Sequence, residues 1–289
     1  MAATVLKGFD ELLRNLTLTE TEAATAAGRV RNLQSIFGTL YTCARAPWTI
    51  GSYGRDTLIR WQRDIDMMVA IDDAYWPKYR YSSRQFLYDV RGLLNEAYGE
   101  SEVSTKQVAV CMMLSGGLQV DLVPTFVHDT GGFLMPDGRG GWQSTNPPYH
   151  DKLMSDSNVR LGSRLKPLVR LMKAWNYVNG RHLRSFHLEM IVERMWRDAS
   201  ALPSVPDAMA QTFATAVSWV ETGFPDPWTG SGLMLDSYLT STERAQAVRL
   251  LKEDAARSTT ALDLAANGQV SEAFDRWNVV YGNYFPAYG

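Results

Sequence analysis

Cysteine and histidine are scarce in this 289-residue sequence: there are two cysteines, Cys43 and Cys111, and four histidines. The cysteines stand far apart among apolar neighbours. They make no disulfide framework and read as buried free thiols. No Cys/His cluster has the spacing of a zinc site. No apolar run reaches the ~18 residues of a membrane span. Met1–Asp10 already contains Lys7 and Asp10, which interrupts the apolar core a signal peptide needs. An excess of one charge is also missing. The 29 Lys+Arg against 31 Asp+Glu give a formal net charge of -2, which argues against a protein that coats DNA or RNA. Repeats and low-complexity segments are absent. These exclusions leave a cytoplasmic, enzyme-sized chain, 45% hydrophobic and 21% charged, long enough for one large domain or two joined lobes.

The pattern along the chain predicts an α/β front and a helical back. Val5, Leu6, Phe9, Leu12, Leu13 and Leu16 have helical spacing over 5–18. Thr19 and Glu22 form a capping-box pattern ahead of a long, Ala-rich spine helix from Glu20 to about Arg45. Trp48–Ile50 leads into a Gly-Ser turn, and Thr57–Arg60 reads as a short helix or turn. Ile65–Ile71 has the composition of a strand buried on both faces. Trp76–Arg84 is a polar, aromatic insertion, and Phe86–Tyr98 is a helix. Strands are predicted at Glu102–Ser104, Val108–Leu114 and Leu118–Phe126, with Gly116-Gly117 turning a hairpin. Thr130–Pro148, rich in Gly and Pro, has the composition of an ordered active-site loop or lid. Helices follow at Asn158–Asn176, with Pro167 a possible break, and at Phe186–Trp196, Asp207–Trp219, Thr242–Leu264 (capped by Ser241) and Val270–Val280.

The chemistry concentrates in Gly51–Val69. A glycine lets backbone N–H groups approach an anion. Asp64 and Asp66, at i and i+2 of a strand, project from one face. Asp121 lies in another apolar strand, Val-Asp-Leu-Val-Pro. A carboxylate in such a strand is unfavourable unless it is paired or bound to a metal. Three of them on neighbouring strands suit two hard divalent ions, Mg²⁺ or Mn²⁺, which clamp an in-line phosphoryl displacement. The competing reading is strand-end aspartates in ion pairs with Arg55, Arg60 or Arg63. The Gly-Ser turn before them and the later strand aspartate favour the metal site.

Gly-Ser, a run to Thr57, Asp-Ile-Asp and a later strand aspartate together resemble the DNA polymerase β-like nucleotidyltransferase superfamily. The fuller string Gly51–Arg60 resembles the bacterial cGAS/DncV-like nucleotidyltransferases (CD-NTases) of CBASS anti-phage systems, which make cyclic di- or trinucleotide second messengers. Leu168–Asn176, Leu183–Glu189 and Asp275–Pro286 agree with that subgroup, so the resemblance spans nearly the whole chain. It implies a polymerase β-like α/β (α+β) core over 1–150, a mixed sheet with flanking helices and the N-terminal spine. A helical lobe over 151–289 would complete a nucleotide-binding cleft between them. It also implies that Gly51 and Ser52 hold the β- and γ-phosphates and that Asp64, Asp66 and Asp121 hold the metals. Asp121 would further activate the acceptor's ribose hydroxyl, and Lys173 and Ser185 would reach the triphosphate. Phe186 would stack on a base.

Several of these residues have a plainer reading beside the functional one. Lys173 is otherwise a solvent-facing lysine and Phe186 a core aromatic. Arg55 and Arg60 contact phosphate or hold the loop by ion pairs. Asn146 is a candidate base-edge contact or a turn former before Pro147. His187 lacks a Ser/Asp partner pattern and reads as structural. The expected substrates are nucleoside triphosphates, the product would act on a separate effector protein, and a regulatory partner fits the helical half and Trp228–Gly232. Direct sensing of double-stranded DNA is not expected. Two other readings are an RNA-tailing or linear-oligonucleotide enzyme, disfavoured by the net charge of -2, and an inactive nucleotide-binding interaction protein, disfavoured by the intact aspartates.

Overall fold

The computed structural model describes residues 3–40, 42–62, 64–99, 102–114, 117–129 and 131–289. The chain divides into two compact units. One comprises Leu18–Leu58 and Gln62–Asp151; the other comprises Met1–Thr17, Ile59–Trp61 and Lys152–Gly289. The first two helices, α1 (Val5–Leu16) and α2 (Glu20–Leu40), fall in different units. The expected capping box starts α2: Thr19 N–H donates to Glu22, and Glu22 N–H donates to the Thr19 hydroxyl.

The first unit is built on a mixed sheet. After α2 come β1 (Cys43–Ile50), the single turn α3 (Gly51–Gly54), β2 (Ile65–Ile71), the single turn α4 (Trp76–Tyr79) and α5 (Ser83–Ala97). Then follow β3 (Glu102–Thr105), β4 (Val110–Leu114), β5 (Leu118–Val127), β6 (Phe133–Pro136) and β7 (Trp142–Thr145). Among the described residues the strand order is β1-β2-β5-β4-β3, with β6 paired to β5 and β7 to β6. β2 and β5 run parallel; the other neighbours are antiparallel.

β2 is buried on both faces, as its composition predicts. Ile65, Met67, Val69 and Ile71 pack with Val30, Leu33 and Phe37 of α2 and with Phe86, Val90 and Leu94 of α5. Met68 and Ala70 pack on the opposite face with Ile50, Val123 and Phe133. This double burial fixes the register, because a slip of one residue would exchange the two faces.

Three expectations are corrected in this unit. The spine helix stops at Leu40, and Cys43–Ile50 is an edge strand paired with β2. The Gly/Pro-rich stretch is a β-hairpin, β6–β7, whose Trp142 packs edge-on against Trp76 and Phe126 and donates its indole N–H to the Tyr79 carbonyl. The short helix lies at Gly51–Gly54, ahead of Thr57–Arg60. The β4–β5 turn places Gly117 at φ 73°, and Gly116 lies outside the described residues.

α6 (Pro147–Arg160) leads into the helical unit, which contains α7 (Leu165–Val178), α8 (Ser185–Trp196) and α9 (Val205–Thr222). A small hairpin, β8 (Pro225–Asp226) and β9 (Gly230–Met234), precedes α10 (Ser241–Ala266) and α11 (Val270–Val280). The predicted helix 158–176 is two helices. Gly162 and Ser163, both at φ 63°, break the backbone, and the Asn158 side chain accepts from the N–H groups of Leu165 and Lys166 to start α7. Pro167 then sits in the first turn, where it lacks no needed donor. Thr240, one residue before the expected Ser241, caps α10 in a full capping box with Glu243.

α1 belongs to this unit because its apolar stripe has its partners here. Phe9 is fully buried and meets the rings of Trp277 and Phe285 at 4.7 and 5.0 Å. Burial of such a side chain contributes about 1.5–3 kcal/mol. Gly8 permits the approach: a Cβ there would lie 2.7 Å from the Phe285 ring.

Candidate active site

The sheet sets two of the predicted carboxylates side by side. Asp66 of β2 is the direct register partner of Asp121 of β5. By strand alternation both stand on the face that carries Met68 and Val123, and Asp64 precedes β2 with the same parity. Asp66 and Asp121 are half-buried and Asp64 is exposed. The apolar residues that force β2 and β5 into this register are therefore what aligns the acidic residues.

The Gly-Ser turn lies directly against them. Gly51 has φ +63°, and a Cβ built there would fall 2.0 Å from an Asp66 carboxylate oxygen. Only glycine meets both demands. Gly54 is also closely held, since a Cβ there would lie 2.7 Å from the Thr49 carbonyl. Thr57, fully buried, donates its N–H to the Ser52 carbonyl at 2.8 Å and closes the loop. Arg55 is also buried and pairs with Asp151 at 3.2 Å, so this guanidinium anchors the loop within the sheet unit. The ion pair, one of the two uses expected for Arg55, is formed.

Lys106 is a member of the site that the sequence reading missed. It sits before β4, and its Nζ donates to Asp121 Oδ2 at 2.5 Å. Gln119, two residues before Asp121, donates to the other oxygen at 3.2 Å. Partial burial pulls the Lys106 ammonium down, but the hydrogen bond and charge of Asp121, with smaller contributions from Cys111 and Asp64, leave it above the ordinary lysine range. Cys111 is the antiparallel partner of Asp121. Burial, then the hydrogen bond and charge of Asp121, push its thiol up to about 11. It is a protonated, free thiol near neutral pH and not a nucleophile. The cue to Lys106 in the sequence is slight: one lysine in the turn before an apolar strand.

The donor set fits a hard divalent cation. It offers carboxylate oxygens, two of the carboxylates in direct register, and a cationic group already rests on one of them. Among the described residues, no three His, Cys, Asp or Glu side chains converge as a ready-made cage. Like charges are expected to stand apart until a cation brings them together.

The remaining predicted residues are placed as follows. The Asn146 side chain accepts from Tyr149 N–H at 3.1 Å, so it is a cap at the start of α6. Lys173 is neither solvent-facing nor open: its ammonium and the Glu189 carboxylate, 1% and 0% exposed, form an ion pair inside the helical unit. Ser185 opens α8 half-buried, and Phe186 beside it packs partly against the helical core. His187 is structural, as expected. It is buried, its Nδ1 lies 3.2 Å from the Tyr238 hydroxyl, and burial pushes it down to about 4, with Asp236 opposing and Arg244 adding to the shift. The Asp triad, Gly51, Ser52 and Arg55 lie in the sheet unit, whereas Lys173, Ser185 and Phe186 lie in the helical one.

A mixed sheet with register-paired strand aspartates beside a Gly-Ser turn is the arrangement of a polymerase β-like nucleotidyltransferase. Comparison with known proteins gives the family. The chain belongs to the family of the Second Messenger Oligonucleotide or Dinucleotide Synthetase domain (SMODS), whose profile matches residues 3–158. A probable cyclic nucleotide synthase of Bacillus cereus (strain VD146) is 22% identical over 100% of this chain and 99% of its own length. The cyclic AMP-AMP-AMP synthase of Acinetobacter sp. (strain ATCC 27244 / 9458) is 25% identical over 66% of this chain and 58% of its own. Among solved structures, E. coli MS115-1 CdnC with ATP superposes with a TM-score of 0.79 at 17% identity, covering 97% of this chain and 98% of that one. The CD-NTase CdnG of Bradyrhizobium diazoefficiens with GTP gives 0.78 at 13% identity, covering 98% and 96%. The fold is thus that of the CD-NTases, and the enzyme class is nucleotidyltransferase within a cyclic nucleotide synthase family. No helix among the described residues is long and apolar enough to cross a membrane.

Proposed function

We propose that the protein condenses ribonucleoside triphosphates, without a template, into a cyclic di- or trinucleotide that serves as a second messenger in anti-phage defence. The observation that carries this reading is the register pairing of Asp66 with Asp121, on one face and against the Gly51-Ser52 turn. It is supported by the Acinetobacter relative, a cyclic AMP-AMP-AMP synthase. It is supported too by a fold shared with Vibrio cholerae DncV, solved with the linear intermediate 5' pppA(3',5')pG (TM-score 0.66, 20% identity, 83% of this chain and 70% of that one).

In this reading Gly51 and Ser52 hold the β- and γ-phosphates through backbone N–H groups and the serine hydroxyl. Asp64, Asp66 and Asp121 hold two divalent ions, Mg²⁺ or Mn²⁺, which when bound supply charge neutralisation of the triphosphate and acidify the acceptor hydroxyl. Asp121 orients the acceptor's ribose hydroxyl for attack on the α-phosphorus. A new P–O bond forms as the bond to the leaving pyrophosphate breaks, and repetition on the linear product closes the ring. Ser185 and Phe186 contact phosphate and base. Lys173, paired with Glu189 one helical turn beyond Ser185, is placed to hold the first turn of α8 in position, a role that suits its burial better than direct contact with the triphosphate. The product would act on a separate effector, and regulation by a protein partner has a parallel in CdnC, solved in complex with HORMA-deltaN.

The test is incubation of the purified protein with the four labelled ribonucleoside triphosphates and Mg²⁺ or Mn²⁺. A short phosphatase-resistant product is expected. A phosphatase-sensitive ladder would assign the chain to linear-oligonucleotide or RNA-tailing enzymes, and no incorporation would make it a binding protein.

A further inference from the structure

The pair formed by Lys106 and Asp121 has a use that the phosphoryl chemistry does not require. Asp121 is 15% exposed and Lys106 is 43% exposed, so the carboxylate is fixed in the sheet while the lysine reaches it from the open side. Lys106 binds Oδ2, and Gln119 independently binds Oδ1. Removal of the lysine therefore leaves the carboxylate oriented. Lys106 also feels the charge of Asp64. Lys106 also lines a recess of about 130 Å³ with Ser83, Arg84, Leu87, Tyr88 and Gln107, so the side chain has space beside it. The ammonium half of the pair is open to solvent, and a compact ammonium on a flexible stem exchanges partners readily.

We infer that Lys106 is a tethered counter-cation: a positioning residue that occupies Asp121 before metal binding and leaves its oxygen when a divalent ion arrives. This rests on the reading of Asp64, Asp66 and Asp121 as the metal ligands. Lys106 partly neutralises the strand aspartates when no ion is bound and competes with the ion for one Asp121 oxygen. The competition sets the concentration of free metal at which the site fills.

The experiment is Mn²⁺ titration of the full chain, read by loss of the free-ion electron paramagnetic resonance signal, with and without a non-hydrolysable ATP analogue. Lys106→Gln removes the competing charge and is expected to bind Mn²⁺ about tenfold more tightly than wild type. Lys106→Arg keeps the charge and stays near wild type. The rise in Tm on adding Mn²⁺ is expected to be larger in Lys106→Gln than in wild type. Equal or weaker binding by Lys106→Gln, including no binding by either protein, overturns the inference. Asp66→Asn separates the two levels: if it binds Mn²⁺ as wild type does, the metal-site reading itself fails. If it loses binding while Lys106→Gln is unchanged, only the role of Lys106 fails.

Discussion

The sheet unit and the helical unit each join a lysine to a carboxylate, in opposite settings. Lys106 and Asp121 are 43% and 15% exposed; Lys173 and Glu189 are 1% and 0% exposed. In water the first pair is screened, adds little stability and can exchange its members for solute ions. The second pair has surrendered its hydration, and removing either member takes a compensating charge away from a group that water does not reach. The same two residue types thus serve as an exchangeable site in one unit and as a fixed strut in the other. Burial decides which, and burial follows from the apolar residues around each pair.

The contrast is broken first at the strut. Glu189→Ala takes the buried carboxylate away from the Lys173 ammonium and is expected to lower unfolding stability by about 3–5 kcal/mol, measured by urea denaturation. A loss below 1 kcal/mol would mean that the pair is open to solvent. At the exchangeable site the signature is reversed. Asp66→Asn is expected to lower nucleotide incorporation by about a thousandfold or more, while its Tm stays within a few degrees of wild type or rises as repulsion is relieved. Gly51→Ala pushes a methyl group into the Asp66 carboxylate and is expected to reduce kcat by about a hundredfold, the effect of shifting a catalytic group by about 1 Å. Retained activity there would show that the turn and the carboxylate do not work together.

A smaller effect is expected at His187, another sealed group of the helical unit. Burial holds its pKa near 4, against 6.5 for the free side chain. Between those values the unfolded chain binds more protons than the folded one, so stability falls as pH drops from about 6.5 toward 4. At pH 5 the loss is on the order of 2 kcal/mol. His187→Gln should flatten that part of the stability–pH curve, even though it also loses the contact with Tyr238. An unchanged slope would place the titration elsewhere.

The strand that carries Asp66 was legible because its signals were redundant. An apolar run identified β2 as buried, and carboxylates in it and in β5 are hard to explain without a ligand. The register that pairs Asp66 with Asp121 follows from those same apolar residues. The Thr19/Glu22 box and the limits of α11 were equally plain, since capping and helical periodicity are local. β1 was not legible. Its pairing with β2 shifts register between Cys43 and Arg45 and again before Trp48, so its burial lacks the period of a strand. The break at Gly162 and Ser163 was hidden because the helical spacing resumes beyond it, and the decisive cap comes from a side chain seven residues away, Asn158. Lys106 and the Lys173–Glu189 pair depend on which helices and turns meet, and spacing along one element carries no such information.

The most direct measurement is anomalous diffraction at the manganese edge from crystals grown with Mn²⁺ and a non-hydrolysable ATP analogue. The expected result is manganese bound by Asp66 and Asp121, with Asp64 drawn in, Lys106 off the Asp121 oxygen and the Lys173–Glu189 pair unchanged. Manganese elsewhere, with Lys106 still on Asp121, would contradict the assignment of these strand aspartates as the metal site.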